Sequence, residues 1–174
     1  MKMKKYSFML ACMALVIAFT ACNKSMTNED DQLLISSSAK KTEKQLPIKG
    51  TYTTSARILV GPPIMQQEIT GYGESSHLGR SMFIAYPTIY FTTPPPFRNS
   101  GTTVFKAANG DEFYTTFTGT VTPNPQGTNT VVMDHIITGG TGRFKQATGN
   151  FTGFTIAIPG HSEGSITYEG TISY

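Results

Sequence analysis

The chain has 174 residues with 14 Lys+Arg, 11 Asp+Glu, 39% hydrophobic residues and two cysteines, which limits it to one domain of ordinary size and excludes a disulfide-stapled scaffold. Its formal charge of +3 comes from Lys2, Lys4 and Lys5; without these three the remaining 11 basic residues balance the 11 acidic ones. From Gly50 onward the charges are scattered singly, with no stripe to follow a phosphate backbone, so nucleic-acid binding is not expected.

Residues 1–21 read as an export signal: lysines ahead of an apolar run from Phe8 to Phe19, then small residues before Cys22. The apolar run is shorter than the roughly 20 residues a membrane-spanning helix needs. Its "FTAC" ending resembles a bacterial lipobox, although Phe19 stands where leucine is usual. That resemblance implies that Cys22 is diacylated and becomes the first mature residue. Cys12 lies within the discarded run, so acylation also accounts for the lone mature cysteine. The expected location is the cell envelope, outside the cytoplasm, with the lipid on Cys22 as the membrane contact.

Residues 22–49 are polar and charged and bury too little to fold alone, so they read as a flexible tether. About 25 residues of flexible coil span roughly 25 to 30 Å.

From Gly50 the texture changes to threonine, aromatic and β-branched residues punctuated by glycine and proline. Residues alternate with period two, the mark of half-buried strands. Tyr52, Thr54, Ala56, Ile58 and Val60 share one face; so do Phe113, Phe117 and Val121, then Val131, Met133, His135 and Ile137, then Ile166, Tyr168, Ile172 and Tyr174. The runs fall near 50–60, 64–72, 76–86, 87–93, 101–108, 111–122, 128–138 and 149–174, the last dividing around Pro159 and Gly160. Asn109-Gly110 between two runs is a strong hairpin signal. An all-β domain over 50–174 follows, and closure into an eight-stranded antiparallel barrel would remove its exposed edges.

"HIITGGTGRFKQATGNFTG", His135 to Gly153, spells part of a dinucleotide-binding loop. The spacing refuses that reading: a third glycine would fall at Lys145, no strand–helix–strand unit follows, and no Gly-Lys-Ser/Thr exists. Gly139, Gly140 and Gly142 instead suit a sharp corner. A single helical turn would then set Phe144 and Ala147 against the barrel end, with Arg143 and Lys145 in solvent and Gly149 releasing the next strand.

"GGTGRFKQATGNFTG", with "HLGR" at 77–80 and "GSITYEGTISY" closing the chain, resembles the small bacterial barrels related to allene oxide cyclase and to plant dirigent proteins. The resemblance covers roughly Gly50 to Tyr174 and implies a calycin-like eight-stranded barrel. It carries no cavity residue of those families onto this chain.

His77, His135 and His161 lack the spacing of metal ligands, so neither a metal nor another cofactor is expected. His135 shares the apolar face of its strand while Asp134 faces the other way, so the two cannot form a dyad. The plain expectation for His135 is a core histidine bonded to a tyrosine or a backbone carbonyl; the functional one is a polar group in a cavity. Phe83 to Gly101 reads as a long proline-rich rim, with Tyr86, Tyr90, Phe91 and Phe97 as candidate ligand-rim residues. A transmembrane barrel is disfavoured by Arg57, Asp134 and Glu169 on the outward faces. The expected function is a tethered binding or structural module, for an apolar small molecule if the barrel is hollow and for a protein partner if it is filled. The alternative is a cyclase- or isomerase-like enzyme working in the cavity.

Overall fold

The computed structural model describes residues 44–174; the expected signal, Cys22 and the tether up to residue 43 lie outside the described residues. The strands are β1 (Leu46–Val60), β2 (Ile64–Ser75), β3 (Gly79–Tyr90), β4 (Phe97–Ala107), β5 (Glu112–Pro123), β6 (Asn129–Gly140), β7 (Thr148–Ala157) and β8 (Glu163–Ser173). Each pairs antiparallel with the next, and β8 returns to β1, closing an eight-stranded barrel. The all-β expectation is met, and the asparagine-glycine turn lies between β4 and β5 with Gly110 at φ +90°.

Alternation decides what faces inward. Phe113, Phe117 and Val121 are buried, as are Val131, Met133, His135 and Ile137, in the phase read from the sequence. Outward residues pair across strands, as in the Arg57 guanidinium to Glu68 carboxylate contact of 3.0 Å and the Lys49–Glu169 pair of 2.7 Å. These exposed pairs are each worth no more than about 1 kcal/mol. Stability comes from the interior, where Tyr52, Phe83, Phe105, Phe113, Phe151 and Tyr168 meet mostly edge to face.

Two boundaries differ from the sequence reading. β1 begins at Leu46 rather than Gly50, because Ile48 is in phase with Tyr52 and buried beside β8, where it pairs opposite Gly170. Leu46 and Ile48, split by Pro47, made too short a run to read as a strand. The second difference is that the runs at 76–86 and 87–93 are one strand, β3. Pro87 looked like a boundary because it has no N–H for a ladder. It is accommodated because pairing of β3 with β2 passes from Ala85↔Ile69 to Thr88↔Gln66, leaving the ladder interrupted around it. The expected long rim from Phe83 to Gly101 is therefore mostly β3 and β4, and only residues 91–96 connect them.

One end of the barrel is plugged. After β6 the chain makes a single 3-10 turn at Gly142–Phe144, which buries Phe144 completely and sets its ring 5.6 Å from Phe113 and 4.9 Å from Tyr174. Ala147 is buried with it, as expected. Gly139, Gly142 and Gly149 all have positive φ, at +129°, +52° and +135°, while a Cβ on Gly140 would lie 2.1 Å from the Glu112 carbonyl oxygen. The corner role is thus shared by all four glycines. Lys145 is exposed, but Arg143 does more than face solvent: its guanidinium donates to the His77 carbonyl, lies 3.8 Å from the Asp111 carboxylate and covers the Phe144 ring.

At Gly142 a side chain meets two obstacles, the left-handed backbone and the Asp111 carboxylate, whose Oδ1 would lie 1.8 Å from an added Cβ. Gly142→Val is expected to lower unfolding free energy by about 1 to 3 kcal/mol. Urea denaturation checks this, and an unchanged midpoint would contradict the corner role.

Candidate ligand cavity

The interior is packed at one end and hollow at the other. Tyr52, Phe83, Phe105, Phe113 and Phe151 fill the interior toward the plug; toward the opposite end small side chains such as Thr54, Ala56, Ala85 and Thr155 lie among the larger ones. Small side chains on the same pleat leave space that the backbone, fixed by strand pairing, cannot close. The result is a cavity of about 680 Å³.

Phe83, Phe117, His135 and Tyr168 line its deeper part, and Ile58, Phe91, Ile156 and Ile158 line the part near the hairpin turns. Ile58, Ile156 and Ile158 are also among the exposed large hydrophobic residues, at 61%, 53% and 50%. The mouth is therefore edged by apolar side chains. β1 starts and β8 ends at the plugged end, opposite this mouth.

His135 is 1% exposed. Its ring stacks on Phe151 at 4.7 Å and 11°, tilts against Phe117 at 4.9 Å and meets the edge of Tyr168 at 5.4 Å. Its Nδ1 is hydrogen-bonded to the Thr115 hydroxyl at 3.0 Å. The partner is thus a threonine, where a tyrosine or carbonyl was expected. Burial among aromatic rings lowers the His135 pKa from 6.5 to about 3, so the imidazole is neutral at physiological pH. Burial likewise raises the Tyr168 phenol well above its usual value, with Tyr52 adding to the effect. Asp134 lies on the outer wall, accepting a hydrogen bond from Thr152 at 3.0 Å.

Three buried side-chain atoms have no hydrogen-bond partner among the described residues: Asn99 Oδ1, Thr103 Oγ1 and His135 Nε2. All three residues line the cavity. Asn99 and Thr103 are on β4 and His135 is on β6, with β5 between them: Thr103 is opposite Thr115 and His135 opposite Phe117. A buried polar atom without a partner costs about 1 to 3 kcal/mol, so three on one wall is a concentrated expense.

The four candidate rim residues divide into two pairs. Phe91 lines the cavity and packs edge to face on Phe97 at 4.7 Å, which keeps both at the mouth. Tyr86 and Tyr90 point the other way. Tyr86 is 46% exposed, and Tyr90 lies under the Arg98 guanidinium at 5.7 Å on the outer wall. Reading the segment as a loop hid the alternation that separates them.

Asn99, Thr103 and Thr115 escaped the sequence reading although a signal was present. Phe105 and Ala107 are buried, so by period two Thr103, Gly101 and Asn99 must also face inward. Starting the strand at 101 removed Asn99 from that pattern. In "EFYTTFTGTV" the inward phase of Phe113 and Phe117 likewise takes in Thr115.

Among the described residues no three His, Cys, Asp or Glu side chains group as a metal site. No protein-family model matches the chain, and no curated protein matches it. Among solved structures it is similar to a pterocarpan synthase dirigent protein, with 12% sequence identity, a TM-score of 0.47, and coverage of 76% of this chain and 93% of that one.

Proposed function

We propose that this protein is an exported lipoprotein, held to a membrane of the cell envelope through acylated Cys22, whose barrel binds a small apolar molecule. The observation that carries the reading is the cavity of about 680 Å³ with its largely apolar lining. Such a volume lies within the roughly 300 to 1,000 Å³ of small-molecule sites. A purely structural barrel would gain stability from filling this space, since buried voids forfeit contacts. Arg57, Asp134 and Glu169 on the outer wall suit a barrel standing in water. β1 starts at Leu46 at the plugged end, opposite the mouth.

Binding is favoured over catalysis by the state of His135. A histidine with a pKa near 3 is a weak base at neutral pH, far from the matched value that general base catalysis needs.

Ala85 faces the cavity, so Ala85→Phe places a ring in the space that the ligand would take. The variant is expected to weaken binding of the neutral dye Nile red by about tenfold or more while the melting temperature stays within a few degrees. Equal dye binding would overturn the reading. Cys22→Ala is expected to release the exported protein from the membrane fraction, and persistent membrane association would sink the lipoprotein assignment.

A further inference from the structure

We infer that the ligand carries one uncharged polar end group, a hydroxyl or a carbonyl, which seats on Thr103 and His135 at the deeper cavity wall while its apolar remainder extends past Asn99 toward the mouth. This rests on the proposal that the cavity binds a small molecule and adds the chemistry of that molecule.

The supporting observation is the set of unpartnered atoms. Asn99, Thr103 and His135 are 2%, 1% and 1% exposed, and each leaves a polar side-chain atom without a hydrogen bond. Folded proteins pair nearly all such atoms, and the exceptions ask for a reason. All three side chains project from the inner wall, so any partner must come from the cavity side. The other polar lining residues, among them Gln67, Asn129, Ser162 and Glu163, lie nearer the mouth, and none has a buried side-chain atom left without a partner.

The pattern also fixes the kind of group. Asn99 lies four residues from Thr103 along β4, about 13 Å away, and is out of reach of the same group. Thr103 presents a hydroxyl, which donates or accepts. His135 engages Thr115 through Nδ1, leaving Nε2 to act as one donor or one acceptor according to the tautomer. A ligand hydroxyl meets such a set well, since it donates once and accepts twice; a carbonyl takes the donors of Thr103 and His135.

Charge excludes the common alternative. No Lys or Arg lines the cavity, and its acidic residue, Glu163, starts β8 at the mouth. Beside His135 the packed residues are Thr115, Phe117, Phe151, Tyr168 and Phe105, none of them charged at neutral pH. A carboxylate at this wall would lose its hydration with no counter-charge, a cost far above that of a neutral group. The cavity therefore selects a neutral amphiphile over a fatty acid.

The test is displacement of Nile red from the full chain carrying Cys22→Ala, which avoids detergent. Three probes share one chain length: decanol, decanoate at pH 8, and decane. Decanol is expected to compete about tenfold or more better than either of the others, the size of effect one or two hydrogen bonds supply. In Thr103→Val with His135→Phe the preference over decane should fall to near unity, while decane itself competes as before. Should the double variant fail to fold, Thr103→Val alone is expected to cut the preference severalfold. Decanoate winning, or decane matching decanol, would overturn the inference and leave the cavity proposal standing. Failure of the dye and of all three probes to bind would sink the cavity proposal itself.

Discussion

Replacing Phe105 by alanine is expected to cost about 3 to 5 kcal/mol of unfolding free energy, the range for a fully buried aromatic truncated to a methyl group. Phe105 is 2% exposed and stands at the centre of the aromatic cluster. Its ring centroid lies 4.7 Å from Phe113, 5.3 Å from Tyr168, 5.4 Å from Phe83 and 5.7 Å from Phe151. These neighbours come from β3, β5, β7 and β8, so the ring ties together strands that do not all pair with one another. Relaxation cannot refill the space, because closed strand pairing holds the wall at fixed diameter. Urea denaturation measures the loss, and the melting midpoint should fall by roughly 10 °C or more. A change below about 1 kcal/mol would mean that the cluster is not the stabilising centre.

His135 is expected to make the protein acid-sensitive. The folded state holds its pKa near 3, against 6.5 for an ordinary histidine. As pH falls below about 6.5 the unfolded chain takes up a proton at this position while the folded chain does not, so the unfolded state gains. Stability from this group is whole above pH 6.5 and is lost progressively down to about 3, below which both states are protonated. The slope approaches about 1.4 kcal/mol per pH unit, and the loss over the window is at most about 4 to 5 kcal/mol. Paired carboxylates also titrate in acid, so the measurement is a difference: unfolding free energy against pH for the native protein and for His135→Phe. Phenylalanine keeps the stacking on Phe151 and cannot take a proton. The two curves should diverge between pH 6.5 and 4, with the native protein falling faster. Parallel curves would show that the imidazole is hydrated or paired when charged.

Both results bear on function. The same burial that makes His135 a liability in acid keeps it neutral at physiological pH, where it can serve as a hydrogen-bonding group without attracting an anion. On the proposed reading, a cavity wall with three unsatisfied polar atoms gives up stability for a ligand site.

Much of the barrel was legible in the chain. Period-two alternation placed the inward faces of β5, β6 and most of β8, and the asparagine-glycine pair placed the β4–β5 turn. Tyr174 departs from its expected face because β8 ends at Ser173, and the tyrosine then turns across the plugged end to meet Phe144 and His77. The glycine corner was legible because positive φ and close backbone approach leave few residues to choose from. Around Pro87 the signals failed, since a proline normally ends a strand and here sits at an interruption of one ladder. That boundary put Tyr86 and Tyr90 on the rim, and starting the next strand at 101 instead of Phe97 hid Asn99.

The sequence by itself determined the all-β character, the inward and outward faces and the corner at 139–149, because these depend on neighbours along the chain. Whether the barrel would be filled was decided only by the tertiary structure. Space inside a barrel depends on which residues from eight strands meet at one level, and that follows from register, which local alternation leaves open. Pairing set Phe83, Phe105, Phe113 and Phe151 together at one end and gathered Ala56, Ala85 and Thr155 at the other. It also brought His135 of β6 onto the same cavity wall as Asn99 and Thr103 of β4.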